Sequence, residues 1–340
     1  MNDALKVKPY IAAISPYVAG KPIEETAKEY GLKLNEIVKL ASNENPLGMP
    51  ESARKAVEAV MTSVSRYPDG NARVFREAVA KHFGLTPDWV IGGNGSDEIL
   101  GLIARLVLTP ETSCVYSQYS FSVYELSAQE NGARCVCVPA KDFAVDLDAI
   151  AAAVDATTRL VFITNPNNPT GLALTESAID AFLAKIPRDC IVVLDEAYCH
   201  YLAPEERTDS LKWVKEYANV VVTRTFSKAY GLAGLRSGFA LAQPALIEML
   251  NRIRPPFNMN TAAQAAAAAC IDDAAFLEHV YKENRAGVAT LETFFKGGVI
   301  VRPVKSYGLP DWLRVSVGTA RENARFIEAF QAARKALGLS

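Results

Sequence analysis

The chain has 340 residues, half of them apolar and 22% charged, with a formal net charge of −2. That is the balance of a globular protein with material for one large domain or two sharing a core. It carries no basic stripe for nucleic acid and no apolar run long enough for a membrane span, and its opening MNDALKVKPY lacks the basic and apolar regions of a signal peptide. A cytoplasmic protein acting on small molecules, with no nucleic-acid or membrane partner, is the expectation. The six cysteines (Cys114, Cys135, Cys137, Cys190, Cys199, Cys270) are scattered, as suits reduced thiols. Cys135 and Cys137 share one face of an apolar run, a spacing that does not read as a zinc site.

From about residue 51 to 255, helical and strand patterns alternate. ESARKAVEAVM and ARVFREAVAKHFG have helical spacing, and LTESAIDAFLAKI repeats it further on. TSCVYS, RCVCVP, RLVFITN, CIVVLDE and NVVVTRT are short runs rich in Val and Ile. This alternation predicts an α/β fold, a mostly parallel central sheet covered by helices. After Pro255-Pro256 the texture changes to a long helical region over about 261–295, strand-like runs GVIVRP and WLRVSVG, and a last helix from about 321 to 337. The expected division is a large domain at 47–255 and a smaller α+β domain built from 1–46 and 256–340.

Open parallel sheets bind ligands beyond the carboxyl ends of their strands, and that is where the polar residues fall. RLVFITN leads into Asn165-Pro166-Asn167-Asn168-Pro169-Thr170-Gly171. CIVVLDE ends in Asp195-Glu196-Ala197-Tyr198, an ionisable pair that is costly to bury without partners. NVVVTRT leads into Ser227-Lys228, with Arg236 eight residues beyond the lysine. A fourth edge, Gly92-Gly93-Asn94-Gly95-Ser96-Asp97-Glu98 before a helix, can bring backbone N–H groups to an anion. An anion cradle, a carboxylate, an Asn, a Tyr and a Lys together match the needs of pyridoxal 5'-phosphate.

The runs NPNNPTG, DEAY and SK with its following Arg, in this order, resemble fold-type-I pyridoxal-phosphate aminotransferases. The resemblance implies that Lys228 forms the Schiff base and carries the proton, and that Asp195 pairs with the pyridine nitrogen. It places Asn168 and Tyr198 at the ring oxygen and Ser96, Asp97, Ser227 and Arg236 at the phosphate. Phe121 of YSFSVY would stack on the ring, with Tyr119 and Tyr124 close by.

Other landmarks narrow the resemblance to the histidinol-phosphate aminotransferase family. They are SPY with GKP near the start, LASNENPLG at 40–48, RYPDG at 66–70 and VIVRPVKSYGLPDWLRVSVGT at 299–319. The family implies substrate contacts for Tyr17, Asn45, Arg302 and Arg314. It also implies that Tyr67 reaches the phosphate of a neighbouring subunit, hence a homodimer. Its substrates are L-histidinol phosphate and glutamate or 2-oxoglutarate. Aromatic aminotransferases and threonine-phosphate decarboxylase share much of this framework, and a pyridoxal-phosphate binder without turnover is a further alternative. One departure stands out. TLETFFKGGVIVRP runs straight on where the family has a further strand and helix, so either the chain is shortened near 296–297 or residues are missing from the numbered sequence.

Overall fold

In the computed structural model, residues 6–16, 22–295, 303–304 and 309–336 are described. The helices α1 (Pro9–Ala12), α2 (Ile23–Tyr30), α3 (Glu51–Val60) and α4 (Arg73–Phe83) precede strand β1 (Val90–Gly93). An alternating stretch follows: α5 (Ser96–Val107), β2 (Ser113–Ser117), α6 (Val123–Glu130), β3 (Arg134–Val138), α7 (Leu147–Ala153), β4 (Thr158–Thr164), α8 (Glu176–Leu183), β5 (Ile191–Asp195), α9 (Ser210–Glu216) and β6 (Val220–Thr225). Next come β7 (Gly238–Leu241), α10 (Pro244–Ile253), α11 (Thr261–Cys270), α12 (Ala274–Phe295), β8 (Pro303–Val304), β9 (Leu309–Leu313) and α13 (Ala320–Ala336). Side-chain caps start several of these helices: Asp146 accepts from Ala149 N, Thr175 from Ala178 N, Asn260 from Ala263 N and Thr319 from Glu322 N.

Seven strands form the main sheet in the order β1-β7-β6-β5-β4-β2-β3. The five from β6 to β3 run parallel, as the alternating pattern predicts. β7 is antiparallel to both β6 and β1. The sequence marks β1 only as a glycine-rich edge and gives no sign of β7, because VIGG and GFAL are only four residues each and too glycine-rich to show periodicity. β4, β5 and β6 are buried almost throughout. Their Leu160, Phe162, Val193 and Val221 share a core with Ile91, Ile99, Ile103, Ile247 and Leu250. Each such side chain contributes about 1.5–3 kcal/mol on leaving water.

The chain divides into two compact units, Met1–Ser15 with Met49–Asp273 and Pro16–Gly48 with Ala274–Ser340. These borders differ from the expected 47–255 and 1–46 plus 256–340 by two residues at 47–48 and by more at two other places. The first fifteen residues fall with the large unit. So does α11, because it packs against α3 and α4 there. The long helix expected over 261–295 is therefore two helices, interrupted at residues 271–273, and only α12 belongs to the smaller unit.

In the smaller unit α12 packs with α13 and β8 pairs antiparallel with β9. The strand expected at WLRVSVG lies earlier, at Leu309–Leu313, and residues 314–319 have no regular structure. That irregular stretch is clipped to the segment 40–43 of the same unit. Ser316 N donates to Leu40 O at 2.8 Å, and the Ser316 hydroxyl donates to Asn43 Oδ1 and accepts from Asn43 N. Residues 298–302 of the GVIVRP run and the 296–297 junction lie outside the described residues.

Candidate active site

Strand alternation separates the two acids that end the apolar run of β5. Glu196 enters a buried polar cluster, where Arg224 approaches within 2.7 Å and the hydroxyls of Ser210 and Thr208 donate to it. This is the charged partner that its burial requires. Asp195, only 3% exposed, is held instead by uncharged donors. The Tyr124 hydroxyl donates to its Oδ2 at 2.7 Å, and Ala197 N donates to Oδ1 at 3.2 Å. Burial pushes its pKa up from 3.8 to about 6, the Tyr124 hydrogen bond works against that rise, and the like charge of Asp97 adds to it.

The next strand, β6, delivers the lysine through a tight chain reversal. Phe226 is fully buried against Phe75, Tyr230 and Phe239 and anchors the turn. Phe226 N donates to Ser237 O, and Gly231 N to Lys228 O. Lys228 projects from this anchored loop with its Nζ 5.5 Å from the Tyr198 ring centroid. Arg236 then takes a left-handed turn, φ +59°, and the chain returns antiparallel as β7. The unforeseen antiparallel strand is thus what brings Arg236 back beside Ser227: its Nη1 donates to the Ser227 hydroxyl at 3.3 Å and its Nη2 to Asp97 Oδ2 at 3.1 Å.

Ser96 is the first residue of α5 and is buried. A Cβ on Gly238 would collide with the Gly95–Ser96 backbone, and one on Gly95, φ +86°, would meet the Arg236 guanidinium. Glycine at both positions lets the helix N-terminus, Ser227 and Arg236 converge. That set has N–H groups, hydroxyls and a guanidinium, the donors a phosphate takes.

In the loop after β4, two of the three asparagines are structural. Asn165 Oδ1 accepts from Leu174 N, and Asn167 Nδ2 donates to Tyr119 O and the Thr170 hydroxyl. Asn168 is also buried, with the Asn165–Pro166 and Asn168–Pro169 peptides cis. Phe121 is half-buried, edge-on to Tyr124 with centroids 5.8 Å apart. Tyr124 itself is wholly buried and stacked on Phe162, which leaves Phe121 the more accessible of the two aromatic rings.

Comparison with known proteins accords with this arrangement. The family model for aminotransferase class I and II matches residues 35–298. A histidinol-phosphate aminotransferase 1 of Cupriavidus pinatubonensis is 50% identical over 360 aligned positions, covering 96% of each chain. One from Methylobacillus flagellatus is 47% identical, covering 94% of this chain and 95% of its own. The chain belongs to the histidinol-phosphate aminotransferases, within aminotransferase class I and II. The histidinol-phosphate aminotransferase of Sinorhizobium meliloti, solved in complex with pyridoxal-5'-phosphate, superposes with a TM-score of 0.87 at 26% identity and covers 98% of each chain. The alignment with the Cupriavidus relative is longer than this chain, so that family member has internal residues with no counterpart here.

Of the family's implied substrate residues, Arg314 and Asn45 are described, both in the smaller unit. Arg314 is buried, and its Nη2 donates to Ala41 O at 2.8 Å. Asn45 Oδ1 accepts from Leu47 N. Tyr17 and Arg302 lie outside the described residues. Tyr67, in the larger unit, is 82% exposed and stacks on the Phe257 ring with centroids 4.7 Å apart. Sequence reasoning gave no role to Tyr124 or to the Glu196–Arg224 pair. The sequence marks Tyr124 only as an aromatic near Phe121, and the one signal for Arg224 is a charge inside an otherwise apolar strand.

Proposed function

We propose that this protein catalyses reversible amino transfer between L-histidinol phosphate and 2-oxoglutarate, using pyridoxal 5'-phosphate. The observation that carries the reading is the wholly buried Asp195 carboxylate at the end of β5, next to the strand whose anchored loop presents Lys228. The residues fit the cofactor. A cationic ring nitrogen set against Asp195 would offset the cost of burying that carboxylate, and the phosphate suits the donors around Ser96 and Arg236.

When bound, the cofactor supplies a carbonyl that takes up the amino group and a ring that spreads the electrons left on the substrate. Lys228 Nζ would hold the cofactor and would take the proton from the substrate Cα. Asp195 keeps the ring nitrogen protonated. Asn168 and Tyr198 hold the ring oxygen, and Phe121 covers a ring face. Ser96, the Asp97 N–H, Ser227 and Arg236 fix the phosphate. Arg314 takes the substrate carboxylate, with Asn45, Tyr17 and Arg302 as further substrate contacts. The amino group leaves L-histidinol phosphate as the ketone imidazole acetol phosphate forms, and 2-oxoglutarate becomes glutamate. Both half-reactions use one site, so the kinetics are ping-pong.

The exposed Tyr67–Phe257 pair supports a homodimer in which Tyr67 serves the neighbouring subunit's phosphate site. A cytoplasmic setting accords with the six free thiols. Among the described residues, no helix is long and apolar enough to cross a membrane. Lys228→Ala tests the chemistry: transamination should vanish, since no side-chain amine remains for the covalent link or the proton. Near-normal turnover in that variant would sink the assignment.

A further inference from the structure

Asp195 can serve a protonated ring nitrogen only while it is ionised, and complete burial works against that. The structure supplies a counterweight on a different element. Tyr124, in the first turn of α6, directs its hydroxyl to Asp195 Oδ2 at 2.7 Å and lies 2.6 Å from the Thr164 hydroxyl at the end of β4. A phenol has one proton. With that proton committed to Asp195, the Thr164 hydroxyl must donate to the Tyr124 oxygen, giving a chain from Thr164 through Tyr124 to Asp195. Each link strengthens the next.

The chain is rigid. The Tyr124 ring stacks on Phe162 at 4.5 Å with 10° between planes and stands edge-on to Phe121. Thr164 is held opposite Asp195 in the β4–β5 ladder. The other polar groups around the carboxylate are Ala197 N, the Thr223 hydroxyl of β6 and Asp97 of α5. Asp97 is the charged one among them, and its sign opposes ionisation. Burial and the nearby carboxylate raise the Tyr124 pKa well above the usual phenol value, so it stays a donor across the working pH range.

We infer that Tyr124 is a positioning residue that acts through Asp195: its hydroxyl, oriented by Thr164, keeps the buried carboxylate ionised and fixes which oxygen remains for a cationic partner. The catalytic reach of this inference rests on the proposed ring-nitrogen role of Asp195, but the Tyr124–Asp195 coupling does not.

The test is a pH titration of the Asp195 carboxyl stretch in cofactor-free protein, by infrared difference against the Asp195→Asn variant with isotopically labelled aspartate. Tyr124→Phe keeps the stacked ring and should raise the midpoint by about one to two pH units, the size expected for losing a hydrogen bond to a buried charge. Incorporating 3-fluorotyrosine at position 124 makes the phenol a stronger donor without truncating it and should lower the midpoint. A merely structural tyrosine predicts no such opposite shifts, and an unchanged midpoint in both proteins would overturn the inference. In the loaded enzyme, Tyr124→Phe should lower kcat with little change in KM. If the Asp195 band of the native protein ignores added pyridoxal phosphate, the ring-nitrogen role fails and the catalytic half of the inference falls with it.

Discussion

Asp195→Asn separates the cost of a functional carboxylate from its use. In the folded protein burial holds the pKa at about 6, against an ordinary 3.8. Each unit of that difference is worth about 1.4 kcal/mol, so ionising the group costs the cofactor-free fold about 3 kcal/mol at neutral pH. The sign follows from proton counts. Between pH 3.8 and about 6 the folded state binds more protons than the unfolded chain, so this group's contribution to stability falls as pH rises through that window. Below it the penalty is absent, and above it the penalty is complete. Asparagine fills the same space, still accepts from Tyr124 and carries no charge. The cofactor-free variant should therefore match the native protein near pH 4 and exceed it by up to about 3 kcal/mol above pH 6. Urea unfolding of the two proteins at several pH values measures the gap. A gap independent of pH, or a variant less stable at pH 8, would refute the reasoning. The same substitution should remove most of the transamination rate, because the ring nitrogen loses the group that keeps it protonated.

Two further substitutions test other parts of the architecture. Arg224→Leu strips the buried Glu196 of its ion partner and should cost about 3–5 kcal/mol in unfolding experiments, with Glu196→Gln in the same chain restoring part of it. A loss below 1 kcal/mol would mean that the pair is dispensable. Arg314→Lys keeps the charge but loses the planar fork, and kcat/KM for glutamate should fall about ten- to a hundredfold with the cofactor spectrum unchanged. An unaltered value would remove Arg314 from substrate binding.

Much of the larger unit was legible in the sequence, for identifiable reasons. The strands β2 to β6 are buried Val- and Ile-rich runs bounded by turn residues, and parallel sheets require such runs. Lys228 and Asn168 stand just past strand ends and Asp195 at one, where polar residues have few other reasons to follow an apolar run. β7 was illegible, and β1 showed only as a glycine-rich edge, because their close approach to the start of α5 calls for glycine, and glycine erases periodicity. Without β7, nothing in the sequence explains how Arg236 returns to Ser227. The break after Cys270 was also hidden: the alanine-rich α11 continues the helical pattern, and only its packing on α3 and α4 assigns it to the larger unit. Tyr124 was hard to read for another reason. Its partner Asp195 lies 71 residues away, and the two meet only because α6 follows β2 and the sheet runs β2-β4-β5.

The most direct measurement is an absorbance titration of the purified protein, loaded with pyridoxal phosphate, against L-histidinol phosphate. The account predicts a visible band from lysine-bound cofactor that gives way to the band of the aminated cofactor, and returns on addition of 2-oxoglutarate. A band that forms but ignores L-histidinol phosphate, while responding to an aromatic amino acid, would contradict the substrate assignment. Failure to form the band at all would contradict the role of Lys228.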